Sequence, residues 1–372
     1  AQRTKRRSTM QKLTEQAPQF IRAIAPYKAG KPVSDVVREL GLDPNTVVKL
    51  ASNENPLGLG EKAKAAIALA AADLGRYPDA NGFALKARLA TRHGVKPEQI
   101  TLGNGSNDVL ELAAKAFLTQ GTSAVFSQYA FAVYPLATQG CGAQSNVVPA
   151  VHYTHDLDGF LSSIDAQTRV VFIANPNNPT GRVFAPAQLL AWHARLAARG
   201  GWLVVDEAFI DATPELSLAG HSHKPGLIVL RSFGKFYGLA GVRLGFVLAE
   251  PSLLNDLNER LGPWAVSGPA RWLGLACLAD ETAHQQQSQR LQQASQRLAD
   301  LLAEFGLVTQ GCALFQWLLR GNAAALHQHF AQRGILLRHF TQPQSLRFGL
   351  PASEADWQRL RLALGELAGS KA

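Results

Sequence analysis

Three apolar runs limit what this chain can fold into: Val170 to Ile173, the run ending in Val204-Val205, and Leu227 to Leu230. Each is short, lacks polar alternation and stops at residues that break or polarise the backbone. Such runs suit strands buried on both faces, as happens when helices cover both sides of a parallel sheet. Ala63 to Leu74, Ala187 to Ala198 and Leu253 to Leu261 have helical spacing around them. The alternation predicts an α/β fold, a mostly parallel sheet sandwiched by helices. In open sheets of this kind ligands bind beyond the carboxyl ends of the strands, so the residues just after each run are the site candidates.

Those residues are unusual in combination. Ala174-Asn175-Pro176-Asn177-Asn178-Pro179-Thr180-Gly181 follows the first run, Asp206-Glu207-Ala208-Phe209 the second, and Arg231-Ser232-Phe233-Gly234-Lys235 the third, with Arg243 shortly after. Lys235 can condense with an aldehyde, while Ser232 and Arg243 supply a hydroxyl donor and a fixed cation for a phosphate. A further turn, Gly103-Asn104-Gly105-Ser106-Asn107-Asp108, joins the strand Ile100 to Leu102 to the helix Val109 to Leu118. Its glycines allow close approach, and the amides of Ser106 and Asn107 at a helix start favour an anion. The same Ser-Asn-Asp run also suits simple helix capping.

With these motifs in this order, the chain resembles the class I/II, fold-type I aminotransferases, over roughly residues 18 to 366. The resemblance implies pyridoxal 5'-phosphate as cofactor. Lys235 would be the catalytic residue, holding the cofactor and moving protons at the substrate Cα. Asp206 would pair with the ring nitrogen, keeping it protonated so that the ring accepts electrons. Asn178 would bond the ring's phenolic oxygen, Tyr129 would stack on the ring, and Gly105, Ser106, Asn107, Ser232 and Arg243 would hold the phosphate. Tyr77 would reach the phosphate of a neighbouring subunit, which implies a homodimer. The family usually has a tyrosine where Phe209 stands, and its absence removes a donor to the phenolic oxygen and raises the pKa of the lysine–cofactor Schiff base.

Within the family the two halves differ. Arg22 to Tyr27, Lys49 to Gly58, Gly75 to Asp79 and Phe131 to Tyr134 resemble histidinol-phosphate aminotransferases. Asp206 to Phe209, Arg231 to Phe236, Gly262 to Pro269 and Leu346 to Leu350 resemble the threonine-phosphate decarboxylases of cobalamin synthesis. The changeover falls near Asn-Pro-Asn-Asn-Pro, as in a mosaic. Both substrates are small phosphorylated amines, and Asn53, Arg338 and Arg347 are the candidates to hold one, arginine through its bidentate fork. The leading expectation is transamination of histidinol phosphate with 2-oxoglutarate and glutamate, in histidine biosynthesis. The alternatives are decarboxylation of threonine phosphate, or a cofactor-binding protein with impaired catalysis.

Composition agrees with an enzyme large enough for two domains: 372 residues, 47% hydrophobic and 17% charged. Of its net charge of +9, Arg3, Lys5, Arg6 and Arg7 supply a large part from a leader ahead of Met10. What remains lacks the basic stripe with interleaved aromatics that nucleic-acid binding needs. No apolar run follows the leader or reaches membrane-spanning length, which points to a cytoplasmic protein. Cys141, Cys277 and Cys312 are too few and too scattered for a disulfide framework and read as buried thiols. His221-Ser222-His223 and His327-Gln328-His329 lack a third ligand nearby, so no metal is expected. The expected division is a basic leader over 1–12, an arm over 13–49 joining the small domain, a large domain over 50–262, and a small α+β domain over 263–372. Gly262-Pro263 and Gly268-Pro269 punctuate the chain before a long helix, Gln285 to Phe305.

Overall fold

The computed structural model describes residues 33–150 and 157–369, together with Gln19, Ala23 and Ile24. The basic leader, and most of the Arg22 to Tyr27 segment, lie outside the described residues.

Seven strands form the central sheet, in the order Ile100–Gly103, Gly245–Leu248, Leu227–Ser232, Trp202–Asp206, Thr168–Ala174, Ser123–Ser127, Gln144–Val148. Neighbours pair in parallel except at Gly245–Leu248, which runs antiparallel to both strands beside it. The two-residue period of a strand sends successive side chains to opposite faces. Accordingly Leu203, Val205, Leu227 and Val229 join one core with Leu85, Leu89 and Trp192, from helices Phe83–His93 and Pro186–Ala197. Val204, Ile228 and Leu230 join another with Val109, Leu110 and Tyr134, from helices Ser106–Phe117 and Val133–Gly140. Each such fully buried aliphatic side chain contributes about 1.5–3 kcal/mol, so the strands have no polar position to spare until their ends.

A second sheet is antiparallel, in the order Arg338–Thr341, Gln344–Gly349, Phe315–Leu319, Gln310–Cys312. Phe315, Phe330 and Phe348 centre its core, closed by the helices Glu281–Glu304, Ala323–Gln332 and Glu354–Gly369. The chain ahead of the large sheet reaches this core too: Val48–Lys49 pairs in parallel with Ile335–Leu336, and Val48 and Leu50 are buried there.

Several helices begin earlier than apolar spacing suggests, because prolines and caps set their starts. Pro186 and Pro251 occupy first helical positions, where a missing N–H costs nothing. The long helix starts at Glu281 rather than Gln285, since the Asp280 carboxylate accepts the Ala283 amide at 3.1 Å. The Gly268-Pro269 pair, read as punctuation, opens a helix instead. Capped by Ser267, Gly268–Leu278 packs Ala270, Leu273 and Leu278 into the large-sheet core. The three cysteines are half-buried rather than buried. No described helix is long and apolar enough to cross a membrane.

Candidate active site

Strand register gathers the motif loops. Gly103, Gly245 and Ser232 lie side by side across three strands, and Ala174, Asp206 and Leu230 across the next three. The loops that follow Gly103, Ala174, Asp206 and Ser232, and the one that leads into Gly245, therefore meet at one end of the sheet.

At the first of these ends Gly105, with φ 87°, precedes helix Ser106–Phe117 without a capping side chain. The Asp108 carboxylate instead folds back to accept the Asn104 amide at 3.0 Å. The Ser-Asn-Asp run is thus not a side-chain cap, and the helix presents its opening amides to an anion. A Cβ on Gly105 would run into the Arg243 guanidinium, and one on Gly245 would lie 2.6 Å from both Gly105 C and Ser106 N. Glycine at these two positions keeps the cup open and Arg243 beside it. Ser232 Oγ accepts the Gly234 amide at 3.0 Å, which leaves its own proton to donate.

Lys235 Nζ donates to the Ser52 carbonyl at 2.9 Å and stands 5.6 Å from the centre of the Phe209 ring. Burial first, and then the Arg347 charge, lower its pKa to about 8; Glu54 opposes and Arg243 adds to the shift. A lysine so tuned has a neutral, nucleophilic population near neutral pH.

Asp206 is buried, and both of its oxygens are held. Oδ2 accepts the Tyr134 hydroxyl at 3.0 Å and Oδ1 the Ala208 amide at 3.2 Å. Burial raises the carboxyl pKa, and these two donors partly offset the rise. Tyr134 is fully buried, stacked on Phe172 at 5.2 Å with Phe131 edge-on at 6.0 Å. Sequence reading assigned Tyr134 no role. Its one signal was a phenolic hydroxyl in a helix whose other buried positions are Val133, Ala137 and Thr138.

Arg347 ties the small sheet to this end of the large one. Its guanidinium donates to Asn178 Oδ1, and at 2.8 Å to the Ala51 carbonyl. With its oxygen engaged, Asn178 keeps its amide protons for an acceptor. Arg338 faces Arg347 in register, and their guanidinium carbons lie 5.5 and 5.7 Å from the Phe340 ring centre. Between Ala51 and Ser52 on one side and Asn55, which donates to the Phe236 carbonyl, on the other stands Asn53. Asn53 has φ 54°, is 2% exposed, and neither its Oδ1 nor its Nδ2 has a hydrogen-bond partner among the described residues. A buried amide left so costs about 1–3 kcal/mol, a cost that a ligand between these walls would relieve.

The tyrosines are placed differently. The Tyr129 carbonyl accepts Asn177 Nδ2 at 2.9 Å, which fixes it beside the Asn-Pro-Asn-Asn-Pro turn. Tyr77 is 81% exposed, its ring stacked on Trp264 at 4.6 Å. The next residue, Ala265, accepts from Asn104, so this pair stands at the outer rim of the cup.

An amine of lowered pKa, a phosphate cup, a buried carboxylate and an amide donor together define an enzyme that uses an aldehyde cofactor carrying a phosphate and a ring nitrogen. Residues 45–364 match the family model described as aminotransferase class I and II, and the chain belongs to that family. Pyridoxal 5'-phosphate is its cofactor. The residues fit it: the cup has room only because of its glycines, and the lysine is tuned for an aldehyde. Histidinol-phosphate aminotransferase 1 of Cupriavidus pinatubonensis is 50% identical over 295 residues, 78% of each chain. Threonine-phosphate decarboxylase of Pseudomonas aeruginosa is 58% identical over 210 residues, 56% of this chain and 62% of that one. Among solved structures, histidinol-phosphate aminotransferase from Sinorhizobium meliloti in complex with pyridoxal-5'-phosphate has a TM-score of 0.85 at 25% identity, covering 96% of this chain and 98% of that one. Both names expected from the two halves are present, and a 295-residue match necessarily crosses Gly181.

Proposed function

We propose that the chain moves an amino group between histidinol phosphate and 2-oxoglutarate, acting in the cytoplasm. The observation that carries this reading is the 50% identity to a histidinol-phosphate aminotransferase over a stretch that includes the catalytic strand ends. The bound cofactor supplies an electron sink for the pair released at the substrate Cα. The chain supplies the rest. Lys235, released from the Ser52 carbonyl, takes and returns the Cα proton; histidinol phosphate has no carboxylate to lose, so the Cα–H bond is the one to be aligned. Asp206, fixed by Tyr134 and Ala208, holds the ring nitrogen's proton, and Asn178 donates to the phenolic oxygen. Gly105, Ser106, Asn107, Ser232 and Arg243 hold the cofactor phosphate, with Tyr129 against the ring. Arg338, Arg347 and Asn53 hold the substrate.

The exposed ring pair Tyr77 and Trp264, with Leu74 and Phe83 also exposed, is the face on which we place a second copy, delivering Tyr77 to the partner's phosphate. The same reading takes 50–262, together with helix Gly268–Leu278 packed on the large sheet, as the large domain and the rest of 263–372 as the small one, with 13–49 as the arm. The decarboxylase relative, more alike over its shorter match, supports a second reading: threonine phosphate with its carboxylate placed for loss.

Cofactor-loaded protein mixed with histidinol phosphate, without any oxo acid, distinguishes these readings. Transamination predicts one equivalent of ketone per chain and full conversion of the cofactor to its amine form. No conversion, with carbon dioxide released from threonine phosphate, would overturn the first reading in favour of the second.

A further inference from the structure

Lys235 stands beyond the sheet that delivers it. Strand Leu227–Ser232 makes its last ladder pairing at Ser232, opposite Gly245. The Phe233 amide still reaches the Leu244 carbonyl at 3.0 Å, and the Leu239 amide returns to the Phe233 carbonyl at 3.3 Å. Between these two anchors the chain makes a tight turn, in which the Gly238 amide donates to the Lys235 carbonyl at 3.2 Å. Its position has to be fixed from outside the sheet.

Residues 52–58 supply that support. Asn55 is 6% exposed and donates from Nδ2 to the Phe236 carbonyl at 2.6 Å. Gln287 reaches the same carbonyl only at 3.4 Å, so Asn55 is the closer hold on the peptide that follows Lys235. The Phe236 ring is anchored separately, in the small-sheet core. Asn55 is itself set by a local turn: its Oδ1 accepts the Leu57 amide at 2.9 Å and its carbonyl accepts the Gly58 amide at 3.2 Å. Gly58 also backs onto the lysine turn, since a Cβ on Gly238 would lie 2.7 Å from the Gly58 oxygen. The Lys235 amine donates to the Ser52 carbonyl of the same segment at 2.9 Å. That bond must break before the amine can reach an aldehyde. The Asn55 bond is made to the backbone and need not break. A flexible four-carbon stem is aimed only as well as the backbone beneath it is held.

We infer that Asn55 is a positioning residue for Lys235: its clamp on the Phe236 carbonyl keeps the lysine's backbone in place while the amine leaves Ser52 and turns to the cofactor aldehyde. The inference rests on Lys235 being the residue that condenses with the cofactor, and not on which substrate follows.

The test uses the full chain freed of cofactor, so that it reads the lysine and not turnover. Asn55→Ser keeps a hydroxyl for the Leu57 amide, and with it the turn, but is too short to reach the Phe236 carbonyl. Two aldehydes are compared, each trapped with borohydride and counted on Lys235 by peptide mass spectrometry. Pyridoxal 5'-phosphate is held by the cup while the amine adds to its aldehyde carbon and water leaves, so its first-order rate depends on where the lysine stands. Propanal gives the cup nothing to hold, and its rate follows the basicity and access of the amine. Asn55→Ser should slow condensation of bound pyridoxal 5'-phosphate at least about tenfold, leaving its half-saturating concentration and the propanal rate within about twofold of wild type. An unchanged rate with pyridoxal 5'-phosphate would overturn the proposal. So would a propanal rate that moves as far as the pyridoxal 5'-phosphate rate, as it would in a chain that fails to fold. Trapping of pyridoxal 5'-phosphate on a different lysine of the wild-type chain would overturn the reading of Lys235 itself, and the proposal with it.

Discussion

Arg347→Gln probes how the catalytic lysine is tuned, because after burial the Arg347 charge is the largest cause of the lowered Lys235 pKa. With a pKa of about 8, roughly a tenth of the chains carry a neutral Lys235 at pH 7; at the ordinary 10.5 about one in three thousand would. The structure thus gives a roughly 300-fold larger population able to attack an aldehyde. Removing the Arg347 charge leaves burial in place, so the pKa should rise by about one unit rather than return to 10.5, and the neutral fraction at pH 7 should fall about tenfold. Arg347→Lys keeps a cation and should hold the wild-type value. The assay is the rate at which the cofactor-free protein reacts with pyridoxal, which lacks the phosphate and so bypasses the cup, across a pH range of about 6 to 11. A lowered lysine pKa makes the amine reactive at lower pH, so the wild-type rate should climb through about 8 and the Arg347→Gln rate through about 9. A wild-type inflection above about 10, or superposable curves for wild type and Arg347→Gln, would refute the reasoning.

Other outcomes follow from the same geometry. Tyr134→Phe removes a donor to a buried carboxylate, a bond worth about 1.5–3 kcal/mol when the acceptor is charged. Since the folded-state pKa of Asp206 is raised, its charge opposes folding once pH rises above the ordinary carboxylate range, and Tyr134 relieves that penalty. The cofactor-free variant should therefore lose more stability at pH 8 than at pH 4, and equal shifts of the urea midpoint at the two would contradict this. Gly245→Ala presses a methyl onto the backbone of Gly105 and Ser106, and should cost about 1–3 kcal/mol of stability and weaken cofactor binding about tenfold or more; wild-type affinity by fluorescence titration would count against the cup. Phe209→Tyr restores a hydroxyl near Lys235 and should move the pH midpoint of the bound cofactor's absorbance downward; an unmoved or raised midpoint would show that the missing hydroxyl is irrelevant.

What was legible in the sequence was what one strand or one turn decides alone. Val170 to Ile173 and Leu227 to Leu230 are apolar at every position because helices cover both faces, so they announced the sheet and the place of its site. Gly105 was legible because its backbone needs a positive φ and no side chain. Helix starts were not, since Asp280, Pro186 and Pro251 act outside the apolar period. Contacts between distant segments were least legible: nothing near Tyr134 says that its hydroxyl will meet Asp206, and nothing near Ala51 or Ser52 says that their carbonyls will receive Arg347 and Lys235. Those pairings exist only after both cores have closed.

The Arg347–Asn178 contact bears on which parts of the chain can be exchanged alone. The two residues lie 169 positions apart, one in the loop that follows a large-sheet strand and one on the small sheet. Replacing a segment that carries only one of them would leave Arg347 resting on the Ala51 carbonyl and the Asn178 oxygen without its donor. A transplanted segment therefore has to bring the matching half of the clasp with it.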